Sequence, residues 1–230
     1  MRGLASTGAP ESTGAPAFPV EVELKFTVLD SEAIRAIVED PAVALPGARS
    51  AGPAHLRLVE DRYVDTADRR LEAAGLVARI RAGGPVAQLT IKSLALRRDG
   101  AIHARMELES EAGDGDDPWS WPASAARDLL LATVGEAPLA TLAVLRQRRY
   151  QRDVTIGSSV VELSLDEIGV TGRTGRTDAW VELECELRSG TEEDLATIGA
   201  ALARRLDLAA ATSSKLKRAL AVDDPSLTDR

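Results

Sequence analysis

Acidic and basic side chains fall on alternating residues in five segments of this chain. In a strand, every second side chain points to the same face. Glu21-Val22-Glu23-Leu24-Lys25 therefore sets Glu21, Glu23 and Lys25 on one face, with Val22, Leu24 and Phe26 on the other. Glu182-Leu183-Glu184-Cys185-Glu186 returns to the pattern near the C-terminus, and Arg79-Ile80-Arg81, Arg105-Met106-Glu107-Leu108-Glu109 and Glu162-Leu163-Ser164-Leu165-Asp166 repeat it. One such face alone is ordinarily a solvated sheet face or a row of cross-strand ion pairs. Five together, mixing carboxylates with Arg and Lys, point to a shared charged interior that holds a metal and a polyanion. Carboxylate oxygen suits hard ions such as Mg2+ and Mn2+. The planar fork of Arg and the compact charge of Lys suit phosphate oxygens.

The elements that must position these faces are mostly strands. After the first strand, Asp30 or Ser31 caps a short helix to about Glu39, with Ile34, Ile37 and Val38 on one side. Pro41, Pro46, Gly47, Gly52 and Pro53 break the next stretch into loops. Strands are predicted over 56–63, 76–81, 86–92, 101–111, 142–156, 159–168 and 179–187, with Gly83-Gly84-Pro85 and Gly157-Ser158 as turns. Asp65 and Asp68 read as turn formers. Helices are predicted over 123–134 and from Thr191 to about Leu206, the second opened by a capping box with Asp194 in the usual Glu position. Gly113 to Pro122 reads as a loop anchored by Trp119 and Trp121. Many strands and few helices give an α+β protein built on an antiparallel sheet. Charged faces turned inward on several strands imply a closed barrel with a wet lumen.

Composition narrows the partners. The 230 residues are 44% apolar and 28% charged, as in a globular protein with a real core. Aromatics at 3% give little for base stacking, and a net charge of -8 argues against a broad basic surface, so no nucleic-acid partner is expected. No apolar run approaches the roughly 20 residues of a membrane span, so no membrane partner is expected. The single Cys185 permits no intramolecular disulfide and no cysteine-based zinc cluster, and a reducing cytoplasm is the simplest compartment. His55 and His103 form no metal-spaced pair and read as ordinary histidines. Residues 1–19, rich in Ala, Gly, Pro, Ser and Thr, read as a disordered leader, and 222–230 as a loose tail or linker.

The chain resembles the CYTH domain of triphosphate tunnel metalloenzymes. Glu21, Glu23 and Lys25 match the Glu-x-Glu-x-Lys strand that opens the family pattern. Tyr63-Val64-Asp65-Thr66-Ala67-Asp68, Leu71, Ala74-Gly75-Leu76 and Arg79-Ile80-Arg81 follow in the family's order. So do Thr90-Ile91-Lys92, Arg105 with Glu107, Asp166, Glu182-Leu183-Glu184, and Ser214-Lys215 with Arg218. Together they span about residues 20 to 221. The resemblance implies an eight-stranded antiparallel barrel forming a tunnel, flanked by helices. It implies Mg2+ or Mn2+ held by Glu21, Glu23, Glu107, Asp166, Glu182 and Glu184, with Glu21, Glu23, Asp166 and Glu184 catalytic. It implies a triphosphate or polyphosphate ligand held by Lys25, Arg79, Arg81, Lys92, Arg105, Arg146, Arg148 and Lys215. The family's mid-chain basic pair is two residues apart: strand alternation favours Arg146 with Arg148, whereas a bulge would select Arg149. Glu109, Glu162 and Glu186 read as supporting or exposed.

Members of that family include triphosphatases acting on inorganic triphosphate, thiamine triphosphate or RNA, and class IV adenylate cyclases. The implied activity is metal-dependent triphosphate hydrolysis. Cyclase chemistry and non-catalytic polyphosphate binding are the alternatives. Leu145-Arg146-Gln147-Arg148, the Trp-Pro loop and the closing Ser-Lys-Leu-Lys-Arg-Ala-Leu are most similar to CYTH domains that precede a CHAD domain, so a CHAD domain in a longer parent chain is a further expected partner.

Overall fold

The computed structural model describes residues 18–40, 45, 47–50, 52–95, 97–99, 102–113, 115–205, 208–211, 213–224 and 226. The predicted leader, apart from residues 18 and 19, and much of the predicted tail lie outside the described residues, as does the side chain of Ile37. The strands are β1 (Val20–Val28), β2 (Arg49–Ser50), β3 (His55–Thr66), β4 (Leu76–Ala82), β5 (Ala87–Ser93), β6 (Arg97–Asp99), β7 (Ile102–Ala112), β8 (Leu139–Ile156), β9 (Ser159–Thr171), β10 (Thr177–Ser189) and β11 (Leu208–Ala210). The helices are α1 (Ser31–Glu39), α2 (Arg70–Ala73), α3 (Ala125–Val134), α4 (Glu192–Arg205) and α5 (Lys215–Ala221).

Eight strands close a ring in the order β1-β10-β9-β8-β3-β4-β5-β7, and β7 pairs back to β1; every pairing is antiparallel. Short β2, β6 and β11 pair onto β8, β7 and β1. The charged alternates of neighbouring strands meet in register. Lys25 lies opposite Glu184, Glu21 opposite Arg105, Lys92 opposite Glu107, Asp61 opposite Arg81 and Arg149 opposite Asp166. No helix among the described residues is long and apolar enough to cross a membrane.

The apolar alternates point out of the barrel, where the helices cover them. Leu24, Phe26, Leu163, Leu165 and Leu183 pack with Ile34 and Val38 of α1 and Leu195, Ile198 and Leu202 of α4. Burying each such side chain is worth about 1.5–3 kcal/mol. Gly199 lets α4 approach β1: a Cβ there would stand 2.8 Å from Leu24 Cδ1. On the opposite side Ile80, Leu89, Ile91 and Leu108 pack with Trp121 and with Ala126, Leu130 and Val134 of α3. Val22 is partly buried against the first cluster, whereas Met106 joins neither. Cys185 is buried in the first cluster, away from the lumen.

Polar side chains set the helix starts. Ser124 accepts from the Arg127 N–H, and Thr191 Oγ1 accepts from the Asp194 N–H. Asp65 shapes its turn as expected, accepting from the backbone N–H groups of Leu71 and Glu72 to hold α2. Trp121 anchors its loop in the core, while Trp119 is exposed.

The charged faces turn inward as expected, and apolar side chains share one end of the same interior. Tyr63, Leu145, Ile168, Val170 and Trp180 share the parity of lumen residues, yet they form an apolar cluster inside one end of the barrel. Leu216, Ala219 and Val222 of the α5 region pack onto it and seal that end.

Leu183 is fully buried between Glu182 and Glu184 on β10. Leu183→Ala is expected to lower unfolding free energy by about 2–5 kcal/mol, measured by urea denaturation. A loss under about 1 kcal/mol would mean that the outer apolar layer does not hold this strand in place.

Candidate active site

The lumen forms a cavity of about 910 Å3 whose wall alternates carboxylates with ammonium and guanidinium groups. At one end of the charged stretch, Lys92 Nζ lies 2.8 Å from Glu21 and 2.8 Å from Glu107. Arg105 reaches Glu21 at 3.2 Å and Glu23 at 3.4 Å. Lys25 bridges Glu23 at 3.2 Å and Glu184 at 2.8 Å. Arg149 grips both oxygens of Asp166, at 2.7 and 2.6 Å, and also donates to Glu184 at 3.0 Å. Lys215, delivered by the first residue of α5, reaches Asp166 at 2.5 Å and Glu184 at 3.1 Å. Across the barrel, Asp61 accepts a fork from Arg81 at 2.6 and 2.7 Å and a bond from Gln147 at 2.6 Å, with Arg79 3.7 Å away.

This pairing is obligatory. An unpaired charge left in such a wall would cost several kcal/mol. Its effect on protonation is uneven. Burial would raise Glu21, but Lys92, a hydrogen bond from Glu107 and Arg105 together hold its carboxyl well below the usual range. Burial pushes Glu107 up to about 8; Lys92 opposes this and the Glu21 carboxylate adds to it. Burial also raises Glu23 and Glu182. Glu184 and Asp166 move down against their burial, through Lys215, Lys25 and Arg149 for the first and through Arg149 and Lys215 for the second.

The structure brings Glu21, Glu23, Lys25, Arg79, Arg81, Lys92, Arg105, Glu107, Asp166, Glu182, Glu184 and Lys215 together around the lumen. It does not bring in Arg146 and Arg148, and that assignment is corrected. Arg146 pairs with Glu60, and Arg148 with Glu167 and the Tyr150 hydroxyl, all on the outer surface. The inward alternates of β8 are Leu145, Gln147 and Arg149, so Arg149 occupies the lumen without any bulge at that point. The register shift between β3 and β8 lies earlier, at Tyr63 and Val64. Where the family pattern led to an expected pair of arginines, the lumen holds Gln147 and Arg149.

Asp61 and Gln147 escaped the sequence reading. The available signal was Asp61 set between the apolar Val59 and Tyr63 on the same alternation. Glu162 is buried and accepts from Arg188 and Ser164 at the cavity wall, a supporting role. Glu109 is half exposed.

Among the described residues, no three His, Cys, Asp or Glu side chains are gathered into a metal-ready group. The donor set nonetheless fits a hard cation, because every acidic ligand candidate is a carboxylate. Glu182 Oε2, moreover, is buried without a hydrogen-bond partner.

The CYTH domain family model matches residues 20–220, and the chain belongs to this family. Solved structures with a similar fold include a Hippeastrum protein described as a candidate adenylyl cyclase with a dominant triphosphatase activity. It has a TM-score of 0.59 and 17% identity, covering 85% of this chain and 92% of that one. A Bacillus halodurans protein described as a candidate adenylate cyclase has a TM-score of 0.56 and 15% identity, covering 86% of this chain and 97% of that one. At these identities the likeness is one of fold. No curated protein matches the chain.

Two outcomes are expected. Arg149→Ala strands two buried carboxylates and should cost about 3–5 kcal/mol of stability, whereas Arg148→Ala on the surface should stay within about 0.5 kcal/mol; urea titration of both variants checks this. Equal effects would place Arg149 outside the buried network. The second outcome concerns pH. The folded Glu107 carboxyl lies above its ordinary value, at about 8. The stability it contributes is complete below the unfolded pKa and is lost as pH rises through about 8. The melting temperature of metal-free protein should therefore fall from about pH 5 to about pH 8 and level off above it, and Glu107→Gln, a permanent neutral mimic, should flatten that fall. An unchanged slope in the variant would remove Glu107 as its source.

Proposed function

We propose that the chain is a metal-dependent triphosphatase that hydrolyses inorganic triphosphate or a related short polyphosphate or organic triphosphate inside the barrel. The carrying observation is the lumen itself: Lys and Arg from five strands and α5 converge on one cavity among oxygen ligands. The Hippeastrum relative, with its stated triphosphatase activity, supports the same reading.

Glu21, Glu23, Glu107, Asp166, Glu182 and Glu184 would hold Mg2+ or Mn2+, with Glu182 Oε2 already lacking a hydrogen-bond partner. When bound, the metal supplies charge neutralisation on phosphate oxygens. Lys25, Lys92, Arg105, Arg149 and Lys215 bind and orient the polyanion, exchanging carboxylate partners for phosphate oxygens. Arg79 and Arg81 are anchored by Asp61 on the opposite wall and extend the cationic surface. A lumen carboxylate orients water for attack on the terminal phosphorus. The water gives its proton to that carboxylate, the bond from the terminal phosphorus to the bridging oxygen breaks with its electron pair going to the shortened phosphate chain, which departs, and orthophosphate is formed. Positioning and charge neutralisation carry the chemistry, so no covalent nucleophile is required. Cys185 lies outside the lumen, and burial holds its thiol well above its ordinary pKa.

Cyclisation of ATP needs a nucleoside platform as well. Among the described residues lining the cavity, Tyr63 is the aromatic one, and it is packed into the sealed end.

Product analysis with Mg2+ or Mn2+ tests this reading. Triphosphate should yield free phosphate, and ATP should yield no cyclic AMP. Glu21→Gln or Glu23→Gln should reduce metal-dependent turnover by at least about a hundredfold with the fold retained, since the amide is a poor ligand for a hard cation. Tight triphosphate binding without phosphate release would make the domain a binding module instead. Unchanged turnover in both variants would take these carboxylates out of the reaction.

A further inference from the structure

The end of the barrel sealed by α5 holds a chain of contacts that reaches the lumen. Trp180 lies on β10 two residues before Glu182, so both side chains point inward. The Trp180 indole N–H donates to Glu182 Oε1 at 2.8 Å, and both residues are buried. That bond fixes one oxygen of the carboxylate. The other, Oε2, has no hydrogen-bond partner and stands 3.9 Å from Lys215 Nζ. Arg218 of α5 lies over the indole ring, 4.4 Å from its centroid, and is itself held by Asp178 at 3.0 Å. The indole is thus clamped between the apolar end of the barrel and a guanidinium.

A buried carboxylate oxygen without a partner is costly and calls for an explanation. Lys215 does not supply it, because its ammonium is drawn to Asp166 and Glu184 at shorter range. A free carboxylate would rotate its second oxygen toward the nearest donor. The Trp180 N–H prevents this rotation, since turning the group would break the 2.8 Å bond.

We infer that Trp180 is a positioning residue, whose indole N–H holds Glu182 so that its second oxygen, buried beside the lumen residue Lys215 and free of any hydrogen bond, is kept for a divalent cation, and that Arg218 of α5 locks the indole in that pose. The inference rests on the reading above that the lumen takes a divalent cation with its polyanion. Outer partners of ligating carboxylates typically change metal affinity by about 10- to 100-fold. Trp180→Phe keeps the ring under Arg218 and removes only the donor. It should weaken Mn2+ binding, measured by electron paramagnetic resonance on the whole chain without triphosphate, by about tenfold or more. Glu182→Gln should weaken it as well, and the double variant should be no weaker than Glu182→Gln alone, because the indole acts through that carboxylate. A purely structural indole would instead give additive losses.

A measurement on the unsubstituted protein covers the case in which Trp180→Phe folds poorly. The Trp180 indole 1H–15N resonance, distinguished from those of Trp119 and Trp121, should shift when Mg2+ is added, and should not shift in Glu182→Gln. Wild-type affinity in Trp180→Phe, additive losses, or an indole resonance indifferent to Mg2+ each overturns the positioning role while leaving the triphosphatase reading intact. A wild-type protein that neither binds Mn2+ nor releases phosphate from triphosphate overturns both.

Discussion

Every buried charge in this barrel has to be answered by another, and the rest of the structure depends on that requirement. Lys25 lies opposite Glu184 and beside Glu23 of its own strand, Lys92 lies opposite Glu107 and reaches Glu21 two strands away, and Arg149 lies opposite Asp166 and reaches Glu184 two strands away. Such pairing exists in one strand register only. A slip of a single residue would carry Lys25 into the cluster now formed by Leu24 and Phe26, and would put those two side chains into the lumen. The apolar layer under α1, α3 and α4 and the polar layer inside therefore specify the same alignment. Breaking either strands groups in the wrong solvent. This is why a small barrel can invert the usual order, charged within and apolar without.

The same pairing shapes what the lumen can accept. Its cations are already neutralised by its carboxylates, so an anion alone would compete with Glu21, Glu23 and Glu184 for Lys25, Lys92 and Arg105. A cation alone would compete with the lysines for oxygen. A ligand that brings both charges would satisfy each partner as it separates them, so on the proposed reading cation and polyanion would favour each other's binding, reciprocally. The opposite protonation of Glu21 and Glu107 is a smaller expression of this economy. Two carboxylates in contact beside one ammonium cannot both stay ionised at low cost, and the less well paired of them keeps the proton.

Much of this was legible in the sequence because the signal has period two. Glu21/Glu23/Lys25, Arg79/Arg81, Arg105/Glu107 and Glu182/Glu184 announce their faces by alternation, and their apolar alternates announce the outer layer. What alternation cannot supply is parity where both alternates are polar. Along Arg146-Gln147-Arg148-Arg149 every residue can face water or lumen, and pairing with Asp166 rather than local pattern decides for Arg149. Asp61 failed for the opposite reason: it interrupts an apolar face instead of joining a charged one. The sealed end was hidden as well. Tyr63, Leu145, Ile168, Val170 and Trp180 are distant in sequence, and only closure of the ring gathers them.

The seal itself is a product of docking rather than of helix propensity. A seven-residue helix such as α5 is not stable alone in water. Its first residue is a lysine, which the positive end of a helix disfavours. Three tethers offset this. Ser214 caps the first turn by accepting from the Lys217 N–H. Asp223 accepts from the backbone N–H groups of Arg173 and Thr174, tying the chain after α5 to the β9–β10 turn. Leu216 and Ala219 complete the apolar cluster that the barrel cannot close by itself. The unfavourable lysine is then the part with a use, since Asp166 and Glu184 draw it into the lumen and compensate both the helix end and its burial. Helix formation, closure of the barrel end and delivery of Lys215 are therefore one event, so the charged lumen is complete only when α5 is seated.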